Sequence, residues 1–194
     1  MDHCRCQWVR KEHRLRSIGD RRDHRIRLDH QSRSPHRPNP RSGRARSGSA
    51  NLASVQRIEQ WLYASVATHQ TVGVETVLST DKYRKLVSAA KERGFRFKLI
   101  YLVLSSAKLN VERVAERVAK GGHDVPRKKI IARRAASLRQ LPWFMAKSDY
   151  ALIVDNSGAT PIDVVAWRPG EVDIRDRALP EIRSAVEQAI RLFQ

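Results

Sequence analysis

Two short and nearly continuous apolar runs, Leu99–Leu104 and Ala151–Val154, constrain the fold of this chain more than any other feature. Each has the length of a β-strand and is far shorter than the roughly 20 residues needed to cross a bilayer. Continuous apolarity is typical of strands buried on both faces of a parallel sheet. Helical patterns at Asn110–Lys120 and at about residues 127–140 separate the two runs. This alternation predicts an α/β fold with a mainly parallel sheet.

The flanking sequence extends the same alternation in both directions. We predict helices over Leu52–Val66, Lys82–Arg93 and from Pro180 to the C-terminus, strands over Thr71–Leu78 and Ile162–Trp167, and a turn or short helix over Pro142–Ser148. Pro180 suits the first position of a helix because its missing N–H would have no partner there.

Residues 1–50 differ in composition from the remainder. They contain 14 Lys and Arg against 5 Asp and Glu, a net charge of +9, which is half of the +18 carried by all 194 residues. Their apolar residues are isolated, so the segment cannot bury enough surface to offset its ordering entropy. We therefore predict a basic, disordered segment over 1–50, with a short frayed helix possible before residue 29, and a folded domain over 51–194.

The two cysteines, Cys4 and Cys6, are too close in sequence to favour a disulfide and have no other partner, which fits a reducing compartment. No apolar leader is present, and we expect a cytoplasmic protein that does not enter a membrane. A metal site formed by Cys4, Cys6, His3 and His13 is a minor hypothesis, because the spacing matches no zinc pattern. No metal ligand is therefore assigned.

Arginines concentrate around a glycine pair in the middle of the chain. Arg113 and Arg117 are four residues apart and leave one face of a helix. Gly121-Gly122 and a polar loop with His123 follow, and the next helix carries Arg133. A helix, a glycine hinge, a loop and a helix with arginines suit a lid that closes over polyphosphate, since guanidinium groups match phosphate oxygens. The alternative is a solvated basic helix pair whose charges are balanced locally.

The segment reads R-V-x-x-R-V-x-x-G-G-H-x-V-P-x-x-x-I-x-x-R from Arg113 to Arg133, and it resembles the lid of zeta-toxin-like P-loop kinases. Upstream, Glu75–Ser79 resembles the strand motif E-T-T-L-S of that family, and Gly94-Phe95 with the following apolar run resembles its next strand. Downstream, Ser137-Leu138, Leu141, Asp149 and Asp155–Gly158 resemble its S-L-x-x-L, A-D and D-N-S-G motifs. The resemblance covers about residues 52–165.

The resemblance implies a phosphoryl transfer from ATP, with Mg²⁺, to a hydroxyl of a small molecule such as an amino-sugar nucleotide. Glu75 and Thr76 would contact the acceptor. The residues implied to contact the nucleotide are Arg113, Arg117, His123, Arg133 and Asn156, and Arg117 and Arg133 would also stabilise the transferred phosphoryl group. An antitoxin protein is a partner that the family would imply. Two simpler alternatives remain open, an exposed strand-end Glu75 and an ordinary Asn-Ser-Gly turn.

The chain departs from the family at its nucleotide cradle. Such a kinase needs G-x-x-x-x-G-K-S/T after a strand, where backbone N–H groups hold phosphates and the hydroxyl holds Mg²⁺. The nearest stretch, Gly43–Ala50, has Ser49 in place of the lysine and Ala50 in place of the hydroxyl. The ligands of ATP and Mg²⁺ are thus largely missing, and the catalytic base is missing too. We expect an incomplete P-loop kinase-like fold, weakly active or inactive, with residues 1–50 as non-native sequence.

A smaller departure lies in the helix after the lid, where Arg134 and Ala136 stand in place of a frequent aromatic residue and a second arginine. A second reading of function is a basic nucleic-acid-binding or regulatory protein without enzymatic activity. Basic segments bind polyanions readily and without specificity, but no recognition helix or aromatic stacking motif is visible. Salt-dependent binding that survives removal of residues 1–50 would favour this second reading.

Overall fold

The computed structural model describes residues 4–10 and 44–194, with side chains from residue 55 onward. Six strands and five helices occur in these segments. The strands are β1 (Cys4–Arg10), β2 (Gly73–Thr76), β3 (Phe95–Val103), β4 (Tyr150–Asp155), β5 (Ile162–Arg168) and β6 (Glu171–Ile174). The helices are α1 (Arg44–Ala67), α2 (Arg84–Glu92), α3 (Ala107–Ala119), α4 (Arg127–Lys147) and α5 (Pro180–Phe193).

The described strands form one mixed sheet with the order β2-β1-β3-β4-β5-β6. The α/β class is confirmed, but the prediction of a mainly parallel sheet was wrong, because β3 and β4 form the single parallel pair among these strands. Short connections account for the difference: residues 156–161 join β4 to β5, and Pro169-Gly170 joins β5 to β6. A parallel pair needs a crossover of about a dozen residues or more, so these strands turn back as hairpins.

Strand β1 lies between β2 and β3 and is antiparallel to both, so that Cys4 is aligned with Thr76 on one side and Tyr101 on the other. The sequence predicted no strand there. Helix α1 also begins before the predicted domain boundary at residue 50. The disorder predicted for residues 29–43 lies outside the described residues.

Alternate residues of β3 face the core. Phe95, Phe97, Leu99, Tyr101 and Val103 are buried, whereas the residues between them are half-buried or exposed. The buried set forms one cluster with apolar residues of α1, α2, α4 and α5. The described helices that supply this cluster therefore pack on one face of β3, and the prediction that the strand is fully buried on both faces was wrong.

Helix α4 is longer than predicted, because the segment after residue 140 continues it through Pro142. Its buried residues Leu141, Phe144 and Met145 join the core. Packing of these three residues offsets the hydrogen bond that a proline removes from a helix interior. The sequence predicted a separate turn or short helix here, because Pro142 usually ends a helix and the burial of the residues on either side of it could not be seen.

Strands β2, β3 and β4 run in the same direction, because β2 and β3 are both antiparallel to β1 and β4 is parallel to β3. Their carboxyl ends, at Thr76, Val103 and Asp155, consequently lie at the same edge of the sheet. Ligands of α/β proteins commonly bind outside the carboxyl ends of such strands. Helices α3 and α4 follow this edge in the chain and contact each other.

Candidate functional site

The acceptor residues suggested by the resemblance lie at the end of β2. Glu75 is exposed and Thr76 is half-buried. The Thr76 hydroxyl accepts a hydrogen bond of 3.2 Å from the backbone N–H of Leu78, whose φ of 55° is in the left-handed region. Thr76 therefore stabilises the tight turn that ends the strand. The next residue, Val77, lines a cavity between α3 and α4.

Two polar loops, after β3 and after β4, meet at the same edge of the sheet. The N–H of Ser105 donates to Ser157 Oγ at 2.7 Å, and Ser157 is bonded to the carboxylate of Asp155 through its own N–H at 2.9 Å and through its hydroxyl. The N–H of Asn156 donates to the carbonyl of Val103 at 2.9 Å. The Asp-Asn-Ser segment thus ties the ends of β3 and β4 together, which is the turn-like role that the sequence left open.

Helix α3 starts from this loop, because Ser106 Oγ accepts the Leu109 N–H at 3.1 Å and caps the first turn. The helix carries Arg113 and Arg117 on one face, one turn apart. Arg113 Nη2 lies 3.5 Å from the carbonyl of Ser157, at the outer limit of a hydrogen bond. Arg113 therefore lies against the loop of Asn156 and Ser157.

The glycine pair that was interpreted as a hinge closes α3. The N–H of Gly122 donates to the carbonyl of Arg117 at 2.9 Å, and the N–H of Gly121 donates to the carbonyl of Val118 at 2.9 Å. Together with the φ of +84° at Gly121, these bonds form a Schellman C-cap. A Cβ on Gly122 would lie 2.6 Å from Arg117 Cγ and 2.8 Å from the Arg117 carbonyl oxygen. The second glycine is thus needed because the stem of Arg117 lies against it.

The cap also fixes the guanidinium of Arg117. Its Nη2 donates to the carbonyl of His123 at 2.6 Å, while its Nε is buried with no hydrogen-bond partner among the described residues. The His123 residue is exposed. The loop between α3 and α4 therefore uses the backbone of His123, and not its imidazole, to hold the arginine.

Helix α4 contributes two arginines to the same region. Arg133 lines the cavity, as does its neighbour Arg134. Arg134 has a side chain only 14% exposed, and its Nη2 donates to the Leu104 carbonyl at 3.1 Å and to Glu181 Oε1 at 2.6 Å. Like Arg117, it has a buried Nε without a partner among the described residues. The sequence treated Arg134 as a departure from the family and missed it as a site residue.

The carboxylate of Glu181, in the first turn of α5, responds to this contact. Burial alone would raise its pKa, but the hydrogen bond from Arg134, a backbone N–H at the helix start and the attraction of the guanidinium outweigh burial and lower the pKa of Glu181 below its ordinary value. Glu181 is therefore ionised near neutral pH and balances part of the charge of Arg134.

A cavity of about 60 Å³ lies among these groups, between α3 and α4 beside the turn after β2. It is lined by Val77, Asn110, Val114, Arg117, Val125, Ile130, Arg133, Arg134 and Ser137. The Ser137 hydroxyl pairs with the buried hydroxyl of Tyr101 at 3.0 Å, which connects the cavity to the centre of β3. The lining contains no carboxylate, so arginine charge dominates it.

The predicted site residues thus fall into three groups. Arg117 and Arg133 line the cavity, whereas Arg113 lies against the loop that contains Asn156. Glu75 and Thr76 end the adjacent strand and do not line the cavity. The arginines of this arrangement can bind an anion. Glu75, which is exposed at the strand end, has a carboxylate that could act as a base toward an acceptor hydroxyl.

Comparison with family models, curated proteins and solved structures found no match. Among the residues that the structure describes, no group of three or more His, Cys, Asp and Glu side chains could hold a metal ion. The hypothesis of a site formed by His3, Cys4, Cys6 and His13 concerns side chains outside that part. Within the described segments, no helix combines the length and the apolarity that a membrane span requires.

Proposed function

We propose that this chain is a phosphotransferase of the zeta toxin type, with an incomplete P-loop kinase-like fold that moves a phosphoryl group from ATP to a hydroxyl of a small molecule such as an amino-sugar nucleotide. The observation that carries the proposal is the convergence of Arg113, Arg117 and Arg133 from α3 and α4 at the carboxyl edge of β2, β3 and β4. Guanidinium groups held at such an edge are suited to bind a polyphosphate and to offset the charge that develops during transfer.

Each residue has a role in this proposal. Arg113, with the adjacent loop of Asn156, binds the nucleotide at the outer side of the edge. Arg117 and Arg133 stabilise the transferred phosphoryl group, and His123 lies in the loop that covers them. Glu75 and Thr76 orient the acceptor hydroxyl. Turnover by these 194 residues is slow or absent, because their sequence contains no G-x-x-x-x-G-K-S/T to cradle phosphate and Mg²⁺.

Nucleotide binding to the full chain tests the proposal. A charge-assisted hydrogen bond contributes roughly 1.5–3 kcal/mol, so Arg133→Ala and Arg117→Ala should each weaken ATP binding by about 10- to 100-fold in a calorimetric titration. Arg139→Ala is the matched control, since Arg139 is an exposed arginine of the same helix that does not line the cavity. It should change the affinity by less than about twofold.

A second candidate, polyanion binding, is favoured by the exposed Arg127, Lys128 and Lys129 in the first turn of α4. The two functions differ in their response to salt and to position. Polyanion binding loses affinity steeply with salt and is weakened about equally by removal of any exposed cation. If ATP binding declines equally in Arg139→Ala and Arg133→Ala, or if ATP does not bind at all, the phosphotransferase proposal fails.

A further inference from the structure

Within the described part of the chain, the helices pack on one face of the sheet. Helices α1, α2, α4 and α5 all supply residues to the core cluster that contains Phe97 and Leu99, and α3 contacts α4. Ile100 and Leu152 are aligned on β3 and β4, are only half-buried and do not belong to this cluster. They lie on the second face. Because parallel strands such as β3 and β4 are usually covered on both faces, a further covering layer is expected there.

The side chains of the second face form two rows across the sheet. In strand order from β3 to β6, the first row is Lys98, Tyr150, Arg168 and Glu171, and the second row is Ile100, Leu152, Ala166 and Asp173. Arg168 lies over the Tyr150 ring, with 5.7 Å between its Cζ and the ring centroid, so these two share a face. Val172 and Ile174 pack against the core, which leaves the acids of β6 on the second face.

The charges at the two ends of the first row are incompletely paired. Lys98 has no ion pair with any residue that the structure describes. Glu171 has one partner in that part of the chain, Arg168 at 3.6 Å, in a pair that is largely exposed. Lys98 and Glu171 cannot meet within one chain, because three strand spacings of about 4.8 Å separate β3 from β6 by about 14 Å.

We propose that the second face binds the same face of another copy of this chain, about a twofold axis that runs parallel to the strands between β4 and β5. This axis places Lys98 of each copy opposite Glu171 of the other, and Leu152 opposite Ala166. Each pair occurs twice, since a twofold interface is self-complementary. Packed sheets are rotated by about 30°, which displaces Lys98, about 7 Å from the axis, by only about 4 Å. The long side chains of Lys98 and Glu171 can accommodate this displacement.

The size of the face sets the expected affinity. Four strands about 4.8 Å apart, with about seven residues of 3.3 Å each, give a plan area of up to roughly 450 Å². Two copies would bury roughly 900 Å², slightly less than the about 1,000 Å² of a stable specific interface. We therefore expect a weak dimer with a Kd of about 10–100 µM. This inference does not rest on the proposed phosphotransferase activity.

Sedimentation equilibrium of the full chain between about 5 and 300 µM tests the proposal. Lys98→Glu and Glu171→Lys each place two pairs of like charges in the dimer, and each should weaken dimerisation at least about tenfold. A mixture of the two variants restores both pairs of opposite charges. The mixture should therefore form a heterodimer with about the affinity of the wild-type dimer.

Lys85→Glu is the matched control, because Lys85 is an exposed lysine of α2, on the other side of the sheet. It should change the dimer Kd by less than about twofold, and urea unfolding should show that all variants are folded. Three results would overturn the proposal: a wild-type monomer at 300 µM, single variants that dimerise as wild type does, or a mixture that associates no more tightly than its components. Other occupants of the face, such as residues 11–43 of the chain or an unrelated protein, predict the first of these results.

Discussion

Substitution of Gly122 by alanine tests whether the glycine pair is a helix cap or a hinge. The added Cβ would lie 2.6 Å from Arg117 Cγ and 2.8 Å from the Arg117 carbonyl oxygen. The Cγ belongs to a side chain that can move, but the oxygen belongs to the last turn of α3 and accepts the Gly122 N–H at 2.9 Å. The clash can be relieved only by lengthening that bond, so the cap itself must distort.

The size of the effect follows from comparison with other overpacked sites, which cost about 1–3 kcal/mol. We expect Gly122→Ala to lower the free energy of unfolding by about 2 kcal/mol. Gly121→Ala meets no atom within 4 Å but must adopt a φ of +84°, which costs about 1–2 kcal/mol from backbone strain alone. The two variants therefore separate steric contact from backbone strain within a single cap.

Urea unfolding measures these differences. With a denaturant dependence of about 1–3 kcal/mol per molar urea, a loss of 2 kcal/mol shifts the midpoint by about 1 M. Gly73→Ala is the control, because Gly73 is exposed, has no positive φ and would place its Cβ more than 4 Å from other atoms. If Gly122→Ala and Gly73→Ala unfold at the same midpoint, the loop rearranges freely, and the glycine pair is a hinge and not a cap.

Two further predictions concern ion pairs that tie helices to the sheet or to each other. Glu181→Gln should lower the free energy of unfolding by up to about 1 kcal/mol at pH 7, since the pair with Arg134 is partly exposed. Because the pKa of Glu181 in the folded protein is lowered from 4.5, this stability is present above the ordinary carboxyl pKa and is lost as the pH falls through the folded value. The urea midpoints of wild type and variant should therefore converge in acid. A constant difference down to pH 2 would contradict this. Asp149→Ala removes both the 2.7 Å hydrogen bond from the Phe97 N–H and the ion pair with Lys91. It should lower the free energy of unfolding by about 2–3 kcal/mol, whereas Lys91→Ala should lower it by less than about 1 kcal/mol. Equal losses in the two variants would show that the hydrogen bond to the backbone contributes little.

The positions of most helices and strands could be predicted from hydrophobic periodicity. Strand β4 contains the predicted run Ala151–Val154 with one more residue at each end, and helix α5 begins at the predicted Pro180, because a continuous apolar run and an N-terminal proline are local signals. The direction of pairing was predicted wrongly although a signal existed. Pro169-Gly170 is a turn dipeptide between two short strands, and its length allows a hairpin and excludes a parallel crossover.

Strand β1 was missed although a short local signal exists. Its sequence, Cys-Arg-Cys-Gln-Trp-Val-Arg, alternates apolar and polar residues from Cys4 to Trp8. The strand is defined by its backbone pairing with β2 and β3 on either side, over residues about 65 or more positions away. The alternation can suggest a strand, but it cannot show which strands it pairs with, and the basic composition of residues 1–50 outweighed this short signal.

Sequence patterns identify the candidate-site arginines that are regularly spaced along a helix, but they do not identify the arginine whose importance depends on burial. Arg113 and Arg117 were found from their spacing along one helix face. Arg134 was missed because its importance comes from its position between the Leu104 carbonyl and Glu181, and neither neighbour is close in sequence. A charged residue beside another arginine gives no indication of which one turns inward.

Several residues that suggested a kinase have a sufficient explanation in the fold itself. Gly122 accommodates the stem of Arg117, Asp149 joins β3 to α2, and Ser157 ties two loops together. A chain that needs these contacts would keep these residues whether or not it transfers phosphoryl groups. Arg117 and Arg133 line the cavity between α3 and α4, so ligand binding at these arginines discriminates between the proposed functions better than the motifs do.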